Sequence, residues 1–341
     1  MTIMKSDLSP RPGEDGVRAA TLPVSLTEIE RAAARIAGHV ARTPLTRSGA
    51  LSAVTGHPVY LKFETRQPTG SFKLRGASNA ILAIDQPARG LVTASTGNHG
   101  RAVAHAAREL GLPVTICMSA LVPANKVEAI RALGADIRIV GASQDDAQEE
   151  VERLVENQGL VQIPPFDHAE VVAGQGTIGL EIIEDLPDLT SVLIPLSGGG
   201  LTGGIAAAVK ALRPQARIIG VSMERGAAMH AAIAAGRPVA VREEVTLADS
   251  LGGGIGLSNR VTFALCRDLL DGIVLLTEDE IAAGIRHAAL QEGEVVEGAG
   301  AVGIAAILAR KVHPAGATVI IVSGGNIDPA RHRRIVEGAT A

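Results

Sequence analysis

From Gly90 onward the chain alternates between two rhythms of apolar and polar positions. Short apolar runs at 91–95, 113–118 and 136–140 read as strands, and the stretches 98–110, 124–133 and 144–158 between them carry helical spacing. The same alternation resumes after a helix around 168–185, with strand 191–196, helix 200–212 and strand 217–223. A looser Gly- and Ala-rich region follows, then strand 273–277, helices 278–292 and 300–311, strand 317–322 and a closing helix. Upstream, Ser25-Leu26-Thr27-Glu28 is a capping-box signature ahead of Ile29, Ala32, Ala33 and Ile36, and Val59–Phe63 alternates like a strand. Thr277-Glu278-Asp279-Glu280 repeats the capping box.

Strand–helix alternation of this kind predicts parallel strands joined by right-handed crossovers, hence an α/β protein of open twisted sheets with flanking helices. The expected organisation is two domains. A small α/β domain, 90–166, is inserted into a large one made of 26–89 and 167–341, with Pro164-Pro165 marking the return. Residues 1–25, with Pro10, Pro12, Gly13, Glu14 and Asp15, are expected to be a flexible tail.

Composition narrows the function classes. Apolar residues make up 46% of the 341, yet aromatics only 1%, with 39 Gly, a mix suited to buried parallel strands and tight turns. The net charge of −4 supplies no basic field for a nucleic acid, so small molecules are the expected partners. No apolar run approaches the roughly 18 residues needed to span a bilayer, and the N-terminal stretch has no signal-peptide core. Cys117 and Cys266 have no metal or disulfide spacing and read as buried reduced thiols, which fits a cytoplasmic location.

Chemistry concentrates at three places. Thr69-Gly70-Ser71-Phe72-Lys73-Leu74-Arg75-Gly76-Ala77 sets one lysine between small residues at a loop-to-helix entry, where burial favours a neutral amine able to form a Schiff base. Ser71 is expected to cap that helix. Ser95-Thr96-Gly97-Asn98-His99-Gly100-Arg101 and Ser197-Gly198-Gly199-Gly200-Leu201-Thr202-Gly203-Gly204 each follow an apolar run and resemble a strand feeding a glycine turn into a helix. Such turns aim backbone N–H groups at an anion. A competing reading exists, because Gly198-x-Gly200-x-x-Gly203 with Glu224 further on is also a formal dinucleotide fingerprint. That would make the chain a nucleotide-binding Rossmann-type module, but it leaves Lys73, Asn98 and Ser323 without a task. Gly298-x-Gly300-x-x-Gly303 matches too but follows helix-like residues, and reads as close packing or a cofactor wall.

Together with Ser323-Gly324-Gly325-Asn326, these segments resemble the serine/threonine dehydratase and serine racemase family, pyridoxal-phosphate enzymes of the tryptophan-synthase-β type, fold type II. The resemblance runs from about Leu26 to about Gly338 and includes Pro123–Ala135 and Ala173–Glu181. It implies that Lys73 holds pyridoxal 5′-phosphate and later removes the substrate Cα proton. It implies that Ser197 and the N–H groups of Gly198, Gly199, Gly200 and Leu201 hold the phosphate. Asn98 then bonds the ring hydroxyl, Ser323 partners the pyridine nitrogen, and Phe72 packs beside the ring. Ser95, Thr96, Gly97, Asn98 and His99 cradle the substrate carboxylate. A neutral hydroxyl at the pyridine nitrogen leaves a carbanion less delocalised than an aspartate would, which favours prompt β-elimination. The implied reaction is loss of water from a β-hydroxy α-amino acid to give a keto acid and ammonia, in a homo-oligomer, dimer or tetramer.

The sequence departs from the family's pattern at several positions. Thr96 stands where racemases have serine and biosynthetic threonine dehydratases usually alanine; its hydroxyl could act on the far ring face, so racemisation is the alternative activity on the same cofactor. Glu224, the Ala228 carbonyl and His230 align with a Mg or Ca site that normally uses two carboxylates, and His230 removes one hard oxygen ligand. Ser250 replaces a glycine after Asp249. With Arg225 and Thr96 it makes the chain similar to the hydroxyectoine-utilisation dehydratases.

Overall fold

The structure is a computed structural model describing residues 2–4, 22–86, 88–95, 97–120, 122 and 124–338. In chain order the elements are β1 (Thr2–Met4), α1 (Leu26–Ile36), β2 (Leu45–Ser48), α2 (Gly49–Thr55), β3 (Val59–Phe63), α3 (Lys73–Leu82), β4 (Leu91–Ala94), α4 (Asn98–Glu109), β5 (Val114–Met118), α5 (Ala124–Arg131), β6 (Asp136–Ile139), α6 (Gln144–Gln158) and β7 (Val161–Gln162). There follow α7 (Ala169–Asp185), β8 (Ser191–Pro195), α8 (Gly200–Leu212), β9 (Arg217–Met223), α9 (Ala228–Ala235), α10 (Val261–Leu269), β10 (Gly272–Leu276), α11 (Glu278–Gln291), α12 (Gly298–Leu308), β11 (Thr318–Val322) and α13 (Pro329–Val336).

The strands form two sheets. The larger has the order β1-β10-β9-β8-β11-β3-β2, parallel except for its two edge strands β1 and β2; the smaller, β6-β5-β4-β7, is wholly parallel. Period-two alternation divides the large sheet's core. Ile320 and Val322 face a cluster with Val302, Ile304 and Ile285, whereas Val319 and Ile321 face Ile205, Val209 and Phe263 on the other side. Both expected capping boxes form, at Ser25/Glu28 and Thr277/Glu280, and Ser143/Asp146 supplies a third ahead of α6.

Two features differ from expectation. Residues 2–4, placed within the flexible tail, pair antiparallel with Gly272–Val274, because β10 offers an open edge. Moreover, α3 does not pack on the sheet that holds the strand before it. Leu74, Ala77 and Ile81 join Ala102, Val103, Ile116 and Met118 over the small sheet. The helix therefore crosses from one sheet to the other, and Lys73 lies at the crossing.

A cluster of buried charges fixes that crossing. Arg75 on α3 donates to both oxygens of Glu64, at 2.8 and 2.9 Å, and to Glu181 of α7 at 2.6 Å. Lys62 of β3 donates to Glu181 and to the Thr43 carbonyl, each at 2.6 Å. Lys62, Glu64 and Arg75 are all buried. Close approach of α3 and α7 is made through glycines: a Cβ on Gly174 would lie 2.6 Å from the Arg75 carbonyl oxygen and 2.7 Å from Gly76 Cα.

Candidate active site

Three neighbouring parallel strands, β8, β11 and β3, release their loops at the same edge of the large sheet. Their carboxyl ends lead to the Ser197–Gly199 turn, to Ser323 and to the Lys73 loop, the location at which open α/β sheets bind ligands. The loops are joined by backbone. Phe72 N donates to the Ser323 carbonyl and Gly325 N to the Gly70 carbonyl, each at 3.0 Å, and Ser71 forms an antiparallel bridge with Gly324. Gly70 has φ +74°, which this tight pairing requires.

Lys73 opens α3. Its Nζ donates to the Pro165 carbonyl at 2.7 Å and lies 5.3 Å from the Phe72 ring centre. Burial lowers its pKa to about 8, against the field of Glu297, which pulls it up. A lysine so placed is closer to its neutral, nucleophilic form than one in water. Ser71 does not cap α3 as expected: Phe72 holds the N-cap position without a side-chain bond, and the Ser71 hydroxyl is buried without a partner. The turn pairs with Gly324 instead.

The glycine turn faces the same place. Gly199 has φ +86°, and a Cβ on it would lie 2.7 Å from Met229 Cε and 3.0 Å from Cys266 Sγ. Gly199 also caps α8 with no side chain, leaving first-turn N–H groups for an anion. A Cβ on Gly198 would meet the Phe166 ring at 2.5 Å. Pro165, which holds Lys73, and Phe166, which lies against Gly198, are adjacent, so lysine and glycine turn border one space. Asp167 fixes this short strap by accepting from Arg260 N, Val261 N and Thr262 N at the start of α10. Cys266 beside the turn has its thiol pushed up to about 12 by burial, so it is inert there.

The small sheet contributes the other wall. β4 ends at Ala94, and α4 begins at Asn98. Asn98 Nδ2 donates to Glu297 Oε1 at 2.8 Å, and Asn326 Nδ2 donates to Asn98 Oδ1 at 2.6 Å. His99 Nε2 lies 2.8 Å from the Ile163 carbonyl, and since that oxygen only accepts, Nε2 carries the proton. Burial, reinforced by the Lys73 charge, lowers the His99 pKa to about 3, so the ring is neutral. Ser95 Oγ accepts from Gly100 N at 3.0 Å and from Gly97 N at 3.4 Å. Thr96 lies outside the described residues.

Lys73, Phe72, Asn98, His99, the Ser197–Leu201 turn and Ser323 thus converge. Glu297, a buried carboxylate at the N-cap of α12, belongs with them but carries no sequence signal except its place before a glycine-rich helix. The Gly298-x-Gly300-x-x-Gly303 stretch is close packing: a Cβ on Gly300 would lie 2.5 Å from the Gly324 carbonyl oxygen, as would one on Gly303 from Ile320 Cγ2. Around the expected cation site, Glu224 is exposed after β9, Ala228 opens α9, and His230 has a buried Nε2 without a partner and a pKa lowered by burial. Among the described residues no group of three or more His, Cys, Asp or Glu side chains is arranged for a metal ion. No helix of the described residues is long and apolar enough to cross a membrane.

A half-buried lysine with a lowered pKa and an uncapped helix N-terminus across one strap from it fit a small aromatic aldehyde with a phosphate tail. Comparison with known proteins agrees. Residues 36–324 match the family described as pyridoxal-phosphate dependent enzyme. A Sinorhizobium fredii protein that carries a provisional threonine dehydratase name is 62% identical over 92% of this chain and 96% of its own. The L-threonine ammonia-lyase of Thermotoga maritima is 42% identical over 92% of this chain and 78% of its own. Among solved structures, maize serine racemase superposes with a TM-score of 0.87 at 35% identity, covering 92% of this chain and 96% of that one. The T.th. threonine deaminase gives 0.83 at 35% identity, covering 89% and 99%. With that coverage and the lysine and glycine turn in place, the chain belongs to the pyridoxal-phosphate-dependent serine/threonine dehydratase and serine racemase family.

Proposed function

We propose that this protein is a dehydratase of the ammonia-lyase type that removes water from a β-hydroxy α-amino acid and yields a keto acid and ammonia. The observation that carries the proposal is the Lys73 amine, enclosed, lowered to about 8 and facing the Gly198–Gly200 turn across the Pro165–Phe166 strap.

When bound, pyridoxal phosphate supplies an aldehyde for amines and an electron-withdrawing ring that acidifies the Cα–H of an amino acid. Lys73 Nζ would hold the group at its aldehyde and, as a free amine, would accept the substrate Cα proton as general base. The N–H groups of Gly198 to Leu201 hold the phosphate, and Asn98 and Ser323 fix the ring. Ser95, Gly97, Asn98 and His99, around the start of α4, would orient the substrate carboxylate with backbone donors. The β-hydroxyl would leave as water with the proton that Lys73 took from Cα, and the released enamine would hydrolyse to keto acid and ammonia. The dinucleotide reading finds no support in this arrangement, because it employs neither Lys73 nor Asn98.

The finer reading concerns the substrate. Ser250 and Arg225, both exposed on the loops after β9, favour a side chain longer and more polar than that of threonine, as in ring-opened hydroxyectoine. A divalent cation at Glu224, Ala228 and His230 is not needed for any of these roles. The division into a small unit, 90–166, and a large one, 26–89 with 167–341, is supported by the two separate sheets, and a cytoplasmic homo-oligomer is part of the same proposal.

Purified protein should be yellow, and borohydride should fix the cofactor on Lys73. Keto acid and ammonia should appear when L-serine, L-threonine or ring-opened hydroxyectoine is added, and Lys73→Ala should lose both colour and turnover. A colourless protein whose Lys73→Ala variant is fully active would refute the assignment. Appearance of D-serine without pyruvate would instead make it a racemase.

A further inference from the structure

Four side chains form one hydrogen-bonded line from the rim of the site to its centre. Arg101 Nη1 donates to Asn326 Oδ1 at 2.8 Å, Asn326 Nδ2 donates to Asn98 Oδ1 at 2.6 Å, and Asn98 Nδ2 donates to Glu297 Oε1 at 2.8 Å. A second Asn326 bond, Nδ2 to the Thr69 carbonyl at 2.9 Å, anchors the middle of the line to the Lys73 loop. The two ends are chemically one-sided. A guanidinium can only donate, and an ionised carboxylate can only accept. The two amides between them therefore have one consistent orientation. Reversing Asn326 sets its NH₂ against Arg101, and reversing Asn98 sets its oxygen against Glu297. Charges of opposite sign at the ends polarise both amides in the same sense.

We infer that Arg101 is a positioning residue that reinforces, through Asn326, the direction of the Asn98 amide that Glu297 and the Thr69 carbonyl also favour, so that Asn98 presents its NH₂ to the ring side of the site. This rests on the dehydratase reading, in which Asn98 touches the cofactor's ring oxygen. An amide presenting its NH₂ stabilises an anionic ring oxygen, whereas one presenting its carbonyl repels it. Arg101 has no part in binding or proton transfer; it acts only through Asn326 and Asn98. Glu297 and the Thr69 carbonyl, which only accept, hold the NH₂ ends of the two amides, and Arg101, which only donates, holds Asn326 Oδ1 at the opposite end.

The test uses purified holoenzyme of wild type, Arg101→Met, Arg101→Lys and Asn326→Asp, with thermal unfolding run in parallel. Arg101→Met keeps the stem but removes the donor. It should move the pH midpoint of the cofactor's visible absorbance to higher pH and lower kcat about fivefold to tenfold with KM little changed, the size expected for the loss of one ordinary hydrogen bond. Arg101→Lys restores a donor-only end and should return both readings to within about twofold of wild type. Asn326→Asp cannot donate to Asn98 and should reproduce Arg101→Met, which keeps the test intact should the methionine variant fold poorly. The inference is overturned if Arg101→Met and Asn326→Asp keep the wild-type absorbance titration and kcat, or if lysine rescues neither. Absence of a lysine-bound chromophore in the wild type would instead defeat the dehydratase reading.

Discussion

At the scale of single residues, the site turns on the protonation of one amine. Lys73 is pulled in opposite directions, downward by burial and upward by Glu297, with burial prevailing. Glu297→Gln keeps an oxygen that can accept from Asn98 but removes the charge. The Lys73 pKa should then fall below about 8, and the neutral amine should form a larger share at neutral pH. Uptake of pyridoxal phosphate by the apoprotein should quicken near pH 7, and its pH midpoint should move to the acid side. A midpoint displaced to the alkaline side would show that Glu297 acts on Lys73 by some means other than its charge. Lys73 was legible in the sequence through two distant segments, 95–101 and 197–204, whose glycine turns would hold an anion, since by itself a lysine at a helix start is most often solvated. Glu297 was not, since a glutamate among Glu294, Val295 and Val296 reads as a solvated helix residue, and tertiary packing brings Gly324, after β11, and Asn98, at the start of α4, against it. Ser71 shows the opposite failure: its local chemistry suits a cap, and tertiary pairing with Gly324 overrode it.

Among elements, the alternation of strands and helices was legible almost throughout, because buried parallel strands and amphipathic helices leave distinct periods. What periodicity could not convey was partnership. Nothing local says that α3 leaves the sheet of β3 for the sheet of β4, or that three residues at the N-terminus find the open edge of β10. The α3–α7 contact shows why that information is tertiary. Alanine is normally the better helix former by roughly 1 kcal/mol, so Gly174→Ala would stabilise an isolated α7. In the folded chain its Cβ would meet the Arg75 carbonyl oxygen at 2.6 Å, and that oxygen belongs to backbone which cannot rotate away. Overpacking should win. We expect a net loss of about 1–3 kcal/mol in denaturant unfolding, together with weaker cofactor binding as α3 is displaced. An increase in stability would mean that the two helices have room to separate.

For the whole molecule, the joint between the two sheets is held by charge as well as by packing. Arg75 joins α3 to Glu64 beyond β3 and to Glu181 on α7, and the sites on the two sheets share one wall only while that joint holds. Burial alone would raise the Glu64 pKa, but the Arg75 charge and its hydrogen bonds more than offset this and leave it lowered. A carboxylate with a lowered folded pKa adds stability above its ordinary value near 4.5, and that stability is lost as pH falls through the lower folded value. Wild-type unfolding free energy should therefore decline on the acid side of that range. Arg75→Met reverses the sign. With its guanidinium gone, Glu64 is a buried carboxylate short of a partner, its pKa rises, and the folded variant binds a proton more readily than the unfolded chain. The deficit relative to wild type should be about 3–5 kcal/mol at pH 7 and should shrink as the pH approaches the point where Glu64 is protonated. Denaturant titrations of both proteins at pH 7, 6 and 5 measure the gap directly. A gap that stays constant over that interval would mean that Arg75 contributes through the volume of its stem and not through its charge, and that the two sheets are joined by packing alone.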